Sequence, residues 1–376
     1  MKLLLAGGGT AGHIFPIIAV VREIKRIYSE NTSLQEEPIE LIYFGPKDVY
    51  FNDLMAQEGI TIKNIFAGKL RRYFSFQNFV DIFFRAPLGF IQMFFYILFL
   101  APDMVFSKGG YGSLPTVFWS WIFQVPIFMH ESDIAPGLTN KILSKFAKEI
   151  FTSFPDTEYF SPSKMIQVGN PIRKELTGGS KIDAERIFYL QNNKPIILIV
   201  GGSQGSQKIN ELILTILPEF LANFELIHQA GPKNFKQVQA ETEGMLSEEF
   251  RAGYHLVPFL EENELKHAYA AADFIISRAG SGSIFEIASY GKPCILIPLP
   301  TSAQDHQIKN AMAYAKDGAG IIFEESNLTL HIFLEKLKYM FAHPDEMDIM
   351  RKRAMEFARP KAAAVIAEYL LIFSSQ

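Results

Sequence analysis

The sequence predicts an α/β protein made of two Rossmann-like, doubly wound domains that face each other across a cleft. Short apolar runs alternate with amphipathic helical patterns along the whole chain. Two of these runs end in glycine-rich loops that open helices, at residues 7–12 and 201–205. The 376 residues, 48% of them hydrophobic, can fill two cores of ordinary size.

The first half of the chain opens with the apolar run KLLLA, the loop GGGTAGH and an amphipathic helix. Ile17, Ile24 and Ile27 recur at helical spacing, and Glu23 is expected on the solvent side. Pro16 is expected in the first turn, where its missing N–H is no loss. Strands are predicted at 2–6, 39–44, 60–66, 102–107, 125–130, 148–152 and 165–168.

The second half repeats the design after a break near the segment GNPIRKELTGGS. We expect an N-terminal domain over 1–172, a C-terminal domain over 173–356, and a helix at 357–376 that could pack on either domain, including the first. Because helical patterns separate most strands, both sheets should be parallel. Strands are predicted at 195–201, 224–229, 254–258, 273–277, 293–298 and 320–323.

The most informative stretch is 272–310, in which a buried strand leads through a glycine- and serine-rich turn into a short helix. Such a loop presents backbone N–H groups and the positive end of a helix, which suits a phosphate. Glu286 points away from the apolar face of this helix and is well placed to accept hydrogen bonds from a ribose. An alternative is that Ser283 and Glu286 form a capping box that only stabilises the helix start.

Several function classes are excluded by the sequence. The spacing of the first glycine loop is not G-x-G-x-x-G, and no acidic residue ends the next strand, which argues against NAD. Cys294 is the only cysteine and lies in an apolar strand, so we expect a core residue and, without a signal peptide, a cytoplasmic protein. A net charge of −4 without a basic cluster interleaved with aromatics excludes nucleic acid as the ligand.

Most of the polar motifs begin where a predicted strand ends, which is where ligands bind in open α/β sheets. In chain order, the segments GGGTAGHIFP, FSKGGYGSLP, HESDIAPGLTNK, VGNPIRKEL, VGGSQGSQKIN, SRAGSGSIFEIA and DHQIKNA resemble the MurG family over nearly the whole chain. These proteins are peptidoglycan N-acetylglucosaminyltransferases of glycosyltransferase fold type B. The resemblance implies inverting transfer of GlcNAc from UDP-GlcNAc to the MurNAc 4-hydroxyl of undecaprenyl-pyrophosphoryl-MurNAc-pentapeptide, which converts lipid I to lipid II. It implies no metal and no other cofactor, consistent with the absence of an Asp-x-Asp pair.

The resemblance also implies a donor site. The backbone of Leu260 would contact the uridine, and Glu286 would bind the ribose. The remaining donor-binding residues that it implies are Ser281, Gly282, Ser283 and Ile284 over the diphosphate, Arg173, Ser203, His306 and Gln307, and from the N-terminal domain Thr10, Ala11, Gly12 and Asp133.

The reaction requires a general base, charge stabilisation for the departing UDP, and donors for the acceptor's pyrophosphate. His13 is the candidate base, although it could instead orient its loop. Glu131 is a competing base or, equally, a buried carboxylate that supports a loop. A helix N-terminus would stabilise the UDP. The acceptor-binding residues are expected to be Gly8, Gly9, Lys108, Gly109, Gly110 and Tyr111, with backbone N–H groups facing the pyrophosphate. The alternative for Lys108 and Tyr111 is that they only shape the turn.

Three features depart from the family pattern. Ala11 replaces a glycine of GGTGGH and adds a methyl near a ligand path. Asp133 stands where many members have asparagine and, while ionised, accepts but cannot donate hydrogen bonds. Gly282 and the bulky Phe285 stand in the donor loop.

The segment 66–106 holds eleven phenylalanines together with Lys69, Arg71, Arg72 and Arg85. Its longest apolar run has 14 residues, fewer than the roughly 20 that cross a bilayer. One interpretation is a buried helix pair. The other, which the neighbouring arginines favour, is a patch that binds an anionic cytoplasmic membrane surface and makes the protein peripheral.

Other classes were weighed. A UDP-GlcNAc 2-epimerase shares the two-domain fold but has no use for a basic, phenylalanine-rich patch. A UDP-sugar transferase acting on another lipid, such as diacylglycerol, is a nearer alternative. A catalytically inactive scaffold at the division site is the non-enzyme alternative, and the intact His13, Glu286 and Gln307 argue against it. The resemblance further implies cell-wall synthesis and division proteins as partners.

Overall fold

A computed structural model describes residues 1–31, 38–68, 76–155, 157–327 and 329–374. The chain forms two compact units, unit 1 comprising Met1–Arg173 with Pro360–Gln376 and unit 2 comprising Lys174–Arg359. Each unit contains one sheet in which all the paired strands are parallel.

Unit 1 is built on a seven-stranded sheet in the order β3-β2-β1-β4-β5-β6-β7. Its strands are β1 Lys2–Ala6, β2 Glu40–Gly45, β3 Thr61–Asn64, β4 Met104–Ser107, β5 Ile127–Glu131, β6 Glu149–Thr152 and β7 Met165–Gln167. Its helices are α1 Ala11–Glu30, α2 Val49–Gln57, α3 Phe76–Val80, α4 Ala86–Leu100, α5 Leu114–Ile122, α6 Leu138–Leu143 and α16 Ala362–Ser374.

Unit 2 is built on a six-stranded sheet in the order β10-β9-β8-β11-β12-β13. Its strands are β8 Ile196–Val200, β9 Glu225–Gln229, β10 Tyr254–Val257, β11 Phe274–Ser277, β12 Cys294–Leu296 and β13 Ile321–Ile322. Its helices are α7 Lys181–Phe188, α8 Gln207–Asn223, α9 Phe235–Met245, α10 Glu248–Arg251, α11 Glu262–Ala271, α12 Ser281–Ser289, α13 His306–Ala315, α14 Leu330–Ala342 and α15 Pro344–Phe357.

The predicted fold class is confirmed, and every predicted strand is present with ends that differ by one or two residues. The central strands β1 and β8 are buried on both faces, so they form continuous apolar runs instead of alternating patterns. Helix α16 joins the core of unit 1, where Ile366 and Leu370 are buried in the same cluster as Ile17 and Leu3. Cys294 is a buried core residue, as predicted.

Two details of α1 differ from the expectation. The helix begins at Ala11, so Pro16 lies inside it and His13 lies in its first turn. Glu23 is 7% exposed because its carboxylate pairs with Arg26, with Oε2 2.8 Å from the Arg26 Nη2. An ion pair to the next turn thus allows an acidic side chain at a buried position.

Within the segment rich in phenylalanine, residues 76–100 form one continuous helical run, in which the π-helical turn Asp81–Arg85 joins α3 to α4. The expectation that this segment is too short to cross a membrane is corrected, because Phe76–Leu100 spans 25 residues and contains an 18-residue window with a mean hydropathy of 1.7. By length and composition alone this helix is able to cross a membrane, although the core helices of other proteins meet the same criterion. Of its apolar window, 17% is buried. Lys69, Arg71 and Arg72 lie outside the described residues.

Candidate active site

In unit 1, two glycine loops close around the His13 ring at the carboxyl ends of β1 and β4. A Cβ added to Gly110 would lie 3.1 Å from the Gly8 Cα and 3.2 Å from the His13 Nε2. Gly110 also has a φ of 81°, which favours glycine. Tyr111 borders the same place, because a Cβ on Gly9 would lie 3.9 Å from its hydroxyl. The candidate base and four of the six predicted acceptor residues, Gly8, Gly9, Gly110 and Tyr111, are therefore neighbours.

His13 is held by its own helix start. Its Nδ1 lies 2.6 Å from the Thr10 Oγ1. Burial, with the Lys108 cation adding to it and Asp133 opposing it, lowers the pKa of His13 to about 4. The imidazole is therefore neutral at pH 7 and able to accept a proton.

Lys108 lies fully inside unit 1, where it is 2% exposed. Its Nζ contacts the Ser132 Oγ and lies 2.6 Å from the His130 Nδ1. The other ring nitrogen of His130 donates to the Gly169 carbonyl at 3.0 Å, so Nδ1 is the acceptor for Lys108. Burial lowers the pKa of Lys108 to about 8, against the opposing charges of Glu131 and Asp133.

Glu131 uses both carboxylate oxygens inside the protein. Oε1 accepts from the Asp133 N–H at 3.0 Å, and Oε2 accepts from the Asn140 Nδ2 at 2.7 Å. The Asn140 Oδ1 in turn accepts from the Gly110 N–H at 3.1 Å. Burial and the Asp133 charge raise the pKa of Glu131 to about 7. This chain of hydrogen bonds fits the loop-supporting alternative for Glu131.

The acceptor-loop N–H groups are partly occupied. Gly109 donates to the Ser107 Oγ at 3.1 Å, and Gly110 donates to Asn140. A Cβ on Gly109 would lie 1.8 Å from the Asn140 Oδ1. In this structure both amides hold the loop, so glycine is needed here for close packing and not for pyrophosphate N–H contacts. Sequence reasoning missed Asn140, although it lies within the segment HESDIAPGLTNK.

The other unit 1 residues of the predicted donor set lie apart from that chain of hydrogen bonds. Ala11 is the first residue of α1 and is partly exposed, and Gly12 is exposed with open space around a built Cβ. Arg173, at the end of the unit, is 7% exposed and stacks its guanidinium over the Phe15 ring at 4.0 Å.

In unit 2, the N-terminus of α12 follows directly after the carboxyl end of β11. Its N-cap is Gly280, which makes no side-chain cap hydrogen bond. The capping-box alternative is therefore wrong, because Ser283 lies inside the first turn and is not the cap. The hydroxyl of Ser281 is buried without a hydrogen-bond partner in the structure, in a residue that is 4% exposed. A buried hydroxyl donor beside the positive end of a helix dipole forms a place that binds an anion.

Glu286 lies one and a half turns further along α12 and is partly exposed. Its Oε2 accepts a hydrogen bond from the Tyr269 hydroxyl at 2.9 Å. Phe285 turns the other way, with its ring 5.1 Å from that of Phe357, so its bulk does not fall on the donor loop.

Gln229 ties together two loops of the predicted donor site. At the end of β9 it accepts from the Leu260 N–H at 3.0 Å and donates to the Gly202 carbonyl at 2.9 Å. The Leu260 N–H is therefore engaged, which leaves its carbonyl for a ligand. Ser203 lies on the loop that Gly202 opens with a φ of 88°. No sequence motif pointed to Gln229, yet its place at the end of a predicted strand matches that of the other polar residues.

Arg278 holds the ends of four strands. Its guanidinium donates to the Ser206 Oγ at 2.6 Å after β8, and to the carbonyls of Ile297 and Pro298 after β12. It also pairs with Glu325 after β13 at 2.7 Å. Only a buried cation with several donors can bind all of these acceptors.

The polar loop after β12 is also ordered by its own side chains. The Gln307 Oε1 accepts from the Leu299 N–H at 2.9 Å, and the Gln307 N–H donates to the Ser302 Oγ at 3.3 Å. His306 begins α13. Gln304 and Asp305 both have φ near +55°, a left-handed conformation that costs energy for residues other than glycine. Across the described ranges, no group of three or more His, Cys, Asp or Glu side chains could hold a metal ion.

Comparison with known proteins places the chain among glycosyltransferases. Residues 3–152 match the glycosyltransferase family 28 N-terminal domain, and residues 196–366 match the family 28 C-terminal domain. A Clostridium tetani protein named UDP-N-acetylglucosamine--N-acetylmuramyl-(pentapeptide) pyrophosphoryl-undecaprenol N-acetylglucosamine transferase is 37% identical over 347 residues, which are 92% of this chain and 91% of the relative.

Solved structures agree. The crystal structure of Acinetobacter baumannii MurG is 26% identical, covers 98% of each chain and superposes with a TM-score of 0.72. The UDP-GlcNAc 2-epimerase of Neisseria meningitidis superposes with a TM-score of 0.68 over 99% of this chain and 100% of that one, but at 15% identity it shows a shared fold alone. The chain belongs to the MurG family of glycosyltransferases, within glycosyltransferase family 28.

Proposed function

We propose that this chain transfers GlcNAc from UDP-GlcNAc, with inversion, to the MurNAc 4-hydroxyl of undecaprenyl-pyrophosphoryl-MurNAc-pentapeptide. The observation that carries the proposal is the N-terminus of α12, where the buried Ser281 hydroxyl has no hydrogen-bond partner among the described residues and Glu286 follows on the same helix. Family membership supports the same donor and acceptor.

The donor is assigned to the carboxyl edge of the unit 2 sheet. The diphosphate lies at Ser281, Gly282, Ser283 and Ile284, where helix N–H groups and the dipole stabilise its charge as UDP departs. The Leu260 carbonyl accepts from the uracil N3–H. Gln307, His306 and Ser203, with Arg173, Thr10, Ala11, Gly12 and Asp133 of unit 1, stay sequence-based assignments to the donor.

His13 is assigned as the general base. If its Nδ1–H donates to the Thr10 Oγ1, its Nε2 is unprotonated and able to take the proton of the acceptor hydroxyl. The negative charge of Asp133 favours the imidazolium that forms. Glu131 remains the competing base, but its two engaged oxygens support a structural role.

The acceptor's pyrophosphate is assigned to the loop of Gly8 and Gly9, with Tyr111 beside it. The predicted acceptor contact of Lys108 is corrected, because this side chain is buried and its Nζ binds His130 and Ser132. Gly109 and Gly110 contribute through their shape, since their N–H groups bind the protein.

A membrane surface is the proposed place of action. The inner face of α4 is buried through Gly89, Met93 and Ile97, so this helix packs on unit 1 instead of leaving it to cross a bilayer. Its other face, α3 and the π-helical turn between them expose large apolar side chains, among them Phe76, Phe79, Phe83, Phe84, Ile91, Phe95, Leu98 and Phe99. An apolar face of this kind lies in the headgroup boundary, and each nearby basic residue adds about 1 kcal/mol on anionic lipid.

The reaction is tested with radiolabelled UDP-GlcNAc and three acceptor conditions: lipid I or a short-chain analogue, diacylglycerol, and no acceptor. Incorporation with lipid I alone supports the proposal. Incorporation with diacylglycerol would assign another lipid acceptor, and donor isomerisation without an acceptor would favour an epimerase.

The donor site is tested with Glu286→Ala. We expect a higher donor KM, by a factor that corresponds to about 1.5–3 kcal/mol for a charged hydrogen bond, in a protein that still folds but is less stable because the buried Tyr269 hydroxyl loses its acceptor. An unchanged donor KM would remove Glu286 from the ribose site.

Membrane binding is tested with Phe83→Asp and Phe99→Asp, which are 61% and 78% exposed. The matched control is Tyr189→Asp in unit 2, which is 79% exposed. We expect the first two to release the protein from anionic vesicles and to slow turnover of a membrane-embedded acceptor but not of a water-soluble one. Equal slowing of both acceptors would show that the patch supports the fold. Arg71→Glu with Arg72→Glu tests the charge component by flotation at low and high salt.

A further inference from the structure

Glu286 is held by a tyrosine that the sequence did not point to. Tyr269, near the end of α11, is 1% exposed and donates its hydroxyl to the Glu286 Oε2 at 2.9 Å. A buried tyrosine hydroxyl needs a partner, and here the partner is the carboxylate assigned to the ribose.

Tyr269 is itself fixed by packing. Its ring stacks on that of Tyr290, with centroids 5.2 Å apart and planes 25° apart. The Tyr290 hydroxyl donates to the Lys266 carbonyl at 3.0 Å, contacts the Leu176 carbonyl and accepts from the Gly179 N–H at 3.3 Å. The hydroxyl that reaches Glu286 is therefore placed by the fold of unit 2.

A hydrogen bond of this kind acts on a carboxylate in two ways. It favours the ionised form, which accepts hydrogen bonds from a ribose and donates none. It also orders a side chain with three rotatable bonds before the ligand arrives, so less conformational freedom is lost on binding.

We propose that Tyr269 is a positioning residue for the donor, which holds the Glu286 carboxylate in the orientation that recognises the ribose hydroxyls of a uridine nucleotide. The inference rests on the proposed function, because it takes Glu286 as the ribose-binding group. It adds a specificity determinant, since the preference for a ribonucleotide over a deoxyribonucleotide then depends on a residue that does not touch the ligand.

The test compares UDP with 2′,3′-dideoxy-UDP, by calorimetry on the full chain. The wild-type protein should bind UDP about 10- to 100-fold more tightly, as expected for hydrogen bonds to a charged group. Tyr269→Phe removes only the hydroxyl. It should weaken UDP about 5- to 20-fold while leaving dideoxy-UDP within about twofold of wild type.

The matched control is Tyr339→Phe, which removes the same type of bond elsewhere in unit 2, from the Tyr339 hydroxyl to the Glu346 Oε1 at 2.6 Å. It should change neither affinity. In a Glu286→Gln background, Tyr269→Phe should have little further effect on UDP, because the carboxylate it positions is gone.

The binding data distinguish a failure of the positioning role of Tyr269 from a failure of the ribose assignment of Glu286. Equal weakening of both nucleotides by Tyr269→Phe, or no weakening of either, overturns the positioning role. A wild-type protein that binds the two nucleotides equally overturns the ribose assignment of Glu286 itself, and with it the inference. That failure appears in the wild type, before any Tyr269 variant is made.

Discussion

Replacing Glu131 with glutamine tests whether this buried carboxylate holds a loop or takes a proton. Glu131 and Asn140 are 4% and 6% exposed, and the carboxylate accepts from both the Asp133 N–H and the Asn140 amide. A glutamine has one acceptor oxygen, so one of these two donors must face its NH₂ group. Asn140 cannot turn its amide over to compensate, because its oxygen already accepts from Gly110.

The magnitude follows from one buried donor left without an acceptor, which costs about 1–3 kcal/mol. For a unit of this size, each kcal/mol lowers the melting temperature by about 2–4 °C. Combining Glu131→Gln with Asn140→Asp restores every partner, because the amide of the introduced glutamine then donates to the new carboxylate, whose second oxygen still accepts from Gly110. We expect the double variant to recover most of the lost stability.

Both variants are measured by urea unfolding and by GlcNAc transfer to a water-soluble acceptor. The measurements are made at pH 8, because burial and Asp133 raise the pKa of Glu131 to about 7. A structural Glu131 gives a stable double variant with activity near wild type. If the double variant is stable but turns over roughly 10²–10⁴-fold more slowly, Glu131 is the base and the structural argument is refuted.

Three further predictions concern single residues. His13→Ala should lower kcat by roughly 10²–10⁴ and leave the affinity for UDP unchanged. Because the pKa of His13 is lowered to about 4, the kcat/KM of the wild-type enzyme should stay constant as the pH falls below 6.5. A loss of kcat/KM below pH 7 would instead point to Glu131 as the base. Gln229→Glu keeps an acceptor for the Leu260 N–H but places a carboxylate oxygen against the Gly202 carbonyl, so the donor KM should rise. A donor KM equal to that of the wild type would exclude a role for Gln229 in shaping the uridine loop. The wild-type free energy of unfolding should rise between about pH 8 and 10.5, because in this range the Lys108 side chain keeps its proton in the unfolded chain but has lost it in the folded protein. Lys108→Met should abolish this rise. A rise that persists in the variant would be due to another titrating group.

The sequence alone determined the architecture. Apolar runs bounded by glycine and polar residues indicated the thirteen strands. The signal is clearest for central strands such as β1 and β8, because a strand buried on both faces needs an uninterrupted apolar run. The order of polar motifs after these strands also identified the family, and with it the chemistry. The first turn of α1 was misplaced, since Pro16 indicated a later start than the one at Ala11. Helix ends depend on local competition that a single residue signals weakly.

The tertiary structure decided which side chains hold the site. Gln229 meets Leu260 and Gly202 only because β8, β9 and β10 are neighbours in the sheet. Tyr269 meets Glu286 only because α11 and α12 flank β11. A hydrogen bond between residues far apart in the chain depends on strand order and on distances of a few tenths of an ångström, and neither leaves a periodic pattern in the sequence. The residues that position a ligand-binding group are for this reason the ones that the sequence did not reveal.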